Sequence, residues 1–133
     1  MDRNDGDRIR LSVPATPAAV RITRVGAAGL ATRAGFTYRE VEEVRLAVGE
    51  AAAVLTLDDG GGGGTLVVVY ALAGDALHVE LRLDGTPAVG PPSVPALAAA
   101  VLDDNVDAWE TVGDGDPRLV LHKYRTDVDD DDE

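Results

Sequence analysis

Between Phe36 and Leu55 the chain reads FTYREVEEVRLAVGEAAAVL, a run whose apolar residues return at steps of three and four rather than two. Val41, Val44, Val48, Ala51, Ala52 and Leu55 therefore share one side of a 3.6-residue helix, and that stripe must be covered by a second layer. Thr37 and Glu40 have the spacing of a capping box, in which each side chain satisfies a free backbone N–H, so the helix starts near Thr37. Glu50 lies off the stripe, close in angle to Glu43 and Leu46 and roughly opposite Val41. Its carboxylate either meets water, touches a partner or lines a cleft as a catalytic base. The chain has 133 residues, enough for one domain that buries roughly two-thirds of its unfolded surface without staples.

The remaining segments supply that second layer. Arg8 to Val13 alternates, with Ile9, Leu11 and Val13 on one side, as a half-buried strand does. Thr16-Pro17 opens a helix with threonine at the N-cap and proline at the first position, and Gly35 ends it. Ile22, Val25, Gly26, Gly29 and Leu30 are its expected buried stripe. Asp58 to Gly64 is a glycine-rich linker: no Lys-Ser/Thr follows it and a strand comes next, which excludes a phosphate loop. Thr65–Ala73 and Ala76–Asp84 form a hairpin across Gly74-Asp75, with Leu77, Val79, Leu81 and Leu83 facing inward. After a stiff loop with four prolines, a short helix spans about Val94 to Asp104, presenting Leu97, Ala98, Val101 and Leu102. Val106–Val112 and Arg118–Arg125 complete the order β-α-α-β-β-α-β-β. Such an order closes into a two-layer α/β (α+β) sandwich, a mixed, mostly antiparallel sheet with the helices on one face.

Composition narrows the function. There is no cysteine, hence no disulfide, thiolate nucleophile or cysteine zinc site, and no metal ligand set is expected. The formal charge of −12 argues against direct nucleic-acid binding, which needs clustered Lys and Arg. Six of those negatives lie in Asp127–Glu133, so residues 126–133 are expected to be a disordered acidic tail and residues 1–7 a disordered leader. No apolar run is long enough to span a membrane and no secretory signal is visible, so a cytoplasmic protein is expected. His78 and His122 fall in separate strands, with no acid or nucleophile tied to them by spacing. Trp109 is expected to pack, or else to anchor a partner.

RLAVGEAAAVL on the second helix, VELRLDG at the end of the third strand, SVPATPAAVRITR near the start and RLVLHKYR near the end together resemble the anti-sigma factor serine kinases of bacteria. These belong to the histidine-kinase and Hsp90-like ATPase superfamily. The resemblance covers residues 8–125 and implies Mg-ATP as cofactor, with a sigma factor and an anti-anti-sigma protein as partners; a homodimer is a further expectation. In the family's E-x-x-x-N helix motif the glutamate is the general base and the asparagine holds Mg²⁺; Glu50 occupies the first position and Val54 the second. The loop motif D-x-G-x-G, whose aspartate accepts from the adenine amine, falls on Leu83, Asp84, Gly85, Thr86 and Pro87. Asp84 and Gly85 are therefore the implied cofactor-binding positions, with the aspartate one residue out of step. No glycine-rich lid lies between Pro87 and Leu102. The expected protein is a transcription regulator of the anti-sigma type that acts by binding protein, with ATP binding weak or lost. The alternatives are an active Mg-ATP-dependent serine/threonine kinase and a scaffold that binds no nucleotide.

Overall fold

A computed structural model describes residues 8–57, 63–85 and 90–126. The expected leader 1–7, most of the glycine linker, Thr86, Pro87 and the tail from Asp127 lie outside the described residues. Eight elements follow in the expected order: β1 (Arg8–Pro14), α1 (Pro17–Arg33), α2 (Tyr38–Leu57), β2 (Thr65–Ala73), β3 (Ala76–Asp84), α3 (Ala96–Asn105), β4 (Ala108–Val112) and β5 (Arg118–Tyr124).

The strands form one sheet in the order β1-β2-β3-β5-β4, and each of its four pairings is antiparallel. β2 and β3 are joined by the two-residue turn in which Gly74 takes φ +63°, a conformation that glycine accepts without strain. Alternate strand residues, among them Leu66, Val68, Tyr70, Leu77, Val79, Leu81, Leu119 and Leu121, form one core with the buried sides of all three helices. The helices therefore cover one face. Across the other face the register sets Arg10, Val69, Glu80, Val120 and Glu110 in one row. Val69 and Val120 are each only 8% exposed there, flanked in register by Arg10, Glu80 and Glu110.

α1 is built as expected at its ends. Thr16 Oγ1 accepts from Ala19 N–H at 3.2 Å; Gly35 N–H donates to Thr32 C=O and Phe36 N–H to Ala31 C=O, the paired bonds of a Schellman close. Its buried side differs from expectation. Ala19, Val20, Thr23, Ala27, Leu30 and Ala31 are buried, whereas Ile22 is 50% and Val25 71% exposed. The reason is distance: α1 packs closely on α2 through alanines, and Ala27, Ala31, Ala47 and Ala51 are all fully buried. Bulk is excluded from such a contact, so the larger residues turn outward. Tyr70 reaches from the sheet to donate to Thr23 C=O at 2.8 Å, and burial pushes its hydroxyl pKa up. α3 begins two residues later than expected, with Pro95 at the N-cap rather than in the first turn. Leu97, expected on its apolar face, is 81% exposed.

Candidate functional site

α2 carries the candidate base, and its phase is fixed at its start. Thr37 N–H donates to Glu40 Oε1 at 2.8 Å and Glu40 N–H to Thr37 Oγ1 at 3.1 Å, closing the capping box. Every residue of the expected stripe, from Val41 to Leu55, is buried. Glu50 is half-buried, and Val54, one turn further on, shares its side of the helix.

A cavity of about 360 Å³ opens beside them. Glu50, Ala53 and Val54 of α2 form one wall; Ser93, Pro95, Leu97 and Ala98, leading into α3, form the other. Gly113, before the turn joining β4 to β5, supports that second wall, since a Cβ there would stand 2.7 Å from Pro91 Cδ. Among the described residues, Glu50 is the one ionisable group on the lining and Ser93 the one hydroxyl. A magnesium triphosphate needs octahedral oxygen ligands for the metal and cationic or N–H donors for the phosphates. A lone carboxylate facing valine, proline and leucine supplies neither, so the described lining does not fit that group.

Asp84 and Gly85 are not brought to this cavity. Asp84 pairs with Thr65 in unbroken register, so no bulge turns it, and it shares the sheet face of Arg82, away from the helices. Its carboxylate accepts from Arg82 Nε at 2.9 Å and Nη2 at 3.4 Å. Arg82 also lies 3.8 Å from Asp116. Gly85, at φ +90°, turns the chain out of β3.

Other polar contacts had no signature in the sequence. Glu43, on the same side of α2 as Glu50, accepts from Lys123 Nζ at 2.7 Å, and Lys123 also donates to Asn105 C=O at 2.9 Å. His78 and His122 stand opposite one another on β3 and β5, with their Nδ1 atoms 2.7 Å apart. One ring must carry the shared proton, and burial, then the facing His122, holds the His78 pKa below its ordinary value. Trp109 packs on the core as expected, and its Nε1 donates to Asp103 Oδ1 at 2.8 Å. Only the pairing of distant strands and helices creates the lysine and histidine contacts. Among the described residues no three His, Cys, Asp or Glu side chains gather as a metal site, and no described helix is long and apolar enough to cross a membrane.

No family model matches the chain. It is similar to the serine-protein kinase RsbW of Bacillus subtilis, 45% identical over 49 residues that make up 37% of this chain and 31% of that one. It is also similar to the serine-protein kinase RsbW of Listeria monocytogenes, 37% identical over 82 residues, 60% of this chain and 52% of that one. The matched stretch thus spans about half or less of these curated relatives. A solved structure of RsbU and RsbW domains from Mycobacterium tuberculosis superposes on 89% of this chain and 32% of its own, with a TM-score of 0.68 at 18% identity. That likeness shows the fold.

Proposed function

We propose, from the similarity to serine-protein kinases RsbW, that the chain is a transcription regulator of the anti-sigma type that works by holding another protein. Its partners are a sigma factor, an anti-anti-sigma protein or both, with the chain paired as a homodimer in the cytoplasm. Nucleotide binding is weak or lost. The observation that carries this reading is Val54. It stands where the family's helix motif places the magnesium asparagine, is 9% exposed, and forms the cavity wall beside Glu50 with no cation among the described lining residues. Phosphoryl transfer depends on charge neutralisation and positioning, so losing the metal ligand removes a large part of the rate.

The binding surface is α1 with the neighbouring edge strand β1. Ile22 and Val25 on α1 and Ile9 on β1 are at least 45% exposed, and among the described strands β1 is an edge of the sheet. A purified sigma factor retained by the wild-type chain, and lost on Ile22→Asp/Val25→Asp with unchanged melting, supports this surface.

An active kinase is the second reading, favoured by Glu50 at the base position and by the cavity beside it. Thermal melting with Mg-ATP separates the two. A ligand at 100 times its Kd adds about 2.7 kcal/mol, on the order of several degrees for a chain of this size. We expect no shift at millimolar Mg-ATP; a shift together with phosphate transfer to a serine, abolished by Glu50→Gln, would establish the kinase.

A further inference from the structure

We propose that the cavity beside Glu50 receives an arginine or lysine side chain of a protein partner, its methylene stem against Ala53, Val54 and Pro95 and its cationic head on the Glu50 carboxylate. This rests on the reading that the cavity has no nucleotide to hold, and it names what the cavity takes instead.

Three observations lead there. The described lining is apolar except for one carboxylate and one hydroxyl, so its complement is an apolar body with a single positive charge and a hydrogen-bond donor. Arg and Lys are the side chains built that way. The α3 wall brings no opposing charge: from Gly90 to Val106, the stretch that supplies it, the sequence has two acids, Asp103 and Asp104, and no Lys, Arg or His, so a cation meets no repulsion from that side while a polyphosphate finds no donor charge. Finally, apolar surface stands uncovered around the cavity. Leu97 on its wall is 81% exposed and Leu46, one turn before Glu50 on the same side of α2, is 52% exposed. A free amine leaves both leucines in water, whereas a peptide that carries the basic side chain between apolar neighbours covers them. The occupant is therefore a protein segment with apolar residues flanking its Arg or Lys.

The test is an NMR titration of the full chain with the capped tripeptide Ac-Leu-Arg-Leu-NH₂. The amide signals of Glu50, Ala53, Leu97 and Ala98 should move, with affinity falling about tenfold or more in Glu50→Lys. Glu50 is half-buried, so its variants should melt like the wild type; Glu50→Gln, which keeps the shape and drops the charge, should fall between the two. Equal binding of Ac-Leu-Glu-Leu-NH₂ would overturn the proposal. So would equal binding of butylguanidinium, which would make this a small-molecule site, or an affinity indifferent to Glu50. Mg-ATP moving the same signals would overturn the functional reading as well. Silence from both Mg-ATP and the tripeptide would sink this inference alone.

Discussion

Glu40 concentrates more structural work than its place in a helix cap suggests. Its carboxylate accepts from Thr37 N–H on Oε1 and, on Oε2, from Thr126 N–H at 2.9 Å and Thr126 Oγ1 at 2.7 Å. One side chain thus satisfies the start of α2 and fastens the backbone that leaves β5. Burial alone would raise its pKa, but the hydrogen bonds from Thr37 and Thr126 together outweigh burial and hold it below the ordinary 4.5. Because the folded-state pKa lies below the unfolded one, the stabilisation is present above about pH 4.5 and is lost as pH falls through the folded value. Glu40→Gln keeps the size and removes one acceptor oxygen. It should cost roughly 1–3 kcal/mol near neutral pH, the range for unsatisfied buried groups. Urea melts of the two proteins should converge on acidification below about pH 4.5. A deficit that stays constant with pH would mean that Glu40 acts through packing and not through its charge.

Between elements, two glycines that share ordinary backbone angles have opposite consequences. Gly49 lies inside α2 without a positive φ, and the nearest atoms a Cβ there would meet are Nε, Cδ and Cγ of Arg24 from α1. Arg24 is exposed, so its whole side chain can take another rotamer into water. Gly49→Ala should therefore stabilise the chain by about 1 kcal/mol through helix propensity. Gly113, by contrast, faces backbone: an added Cβ would sit 2.8 Å from Pro91 N as well as against its ring. Gly113→Ala must displace the segment leading into α3 and should destabilise by about 1–3 kcal/mol, the usual cost of overpacking. Urea midpoints moving in opposite directions at unchanged slope would establish both effects. Helix and turn are legible around each glycine, but what each one faces comes from a segment more than twenty residues away and is not.

For the molecule as a whole, the same division separates what the sequence makes legible from what it hides. Element order, the Thr37–Glu40 cap, the Gly35 close and the β2–β3 hairpin all follow from residues within a few positions of one another. The place of β5 between β3 and β4 does not; that placement brings His78 to His122 and, with α2 packed on the sheet, Glu43 to Lys123. The same limit applies at the candidate site. Glu50 and Val54 could be read from helical phase, but the wall they face is set by how α3 docks on α2. Lys123, the only lysine in the sequence, bridges the two helices: its ammonium reaches Glu43 on α2 and the carbonyl of Asn105 at the end of α3. Its side chain is 11% exposed and that of Glu43 30%, so the pair is sheltered but not dry, and removing one member leaves the other poorly paired. Lys123→Met should cost roughly 1–3 kcal/mol, and adding Glu43→Leu should recover part of that loss, a coupling on the order of 1 kcal/mol. Hydrogen exchange then tests whether the lysine acts locally or globally. In Lys123→Met the amides of α3 should exchange faster while those of β2 and β3 keep their protection, because α3 loses its tether and the hairpin keeps its ladder. Uniform loss of protection across the sheet would mean that Lys123 supports the whole core, and the cavity beside Glu50 would then owe its shape to the sheet instead of to the seating of α3.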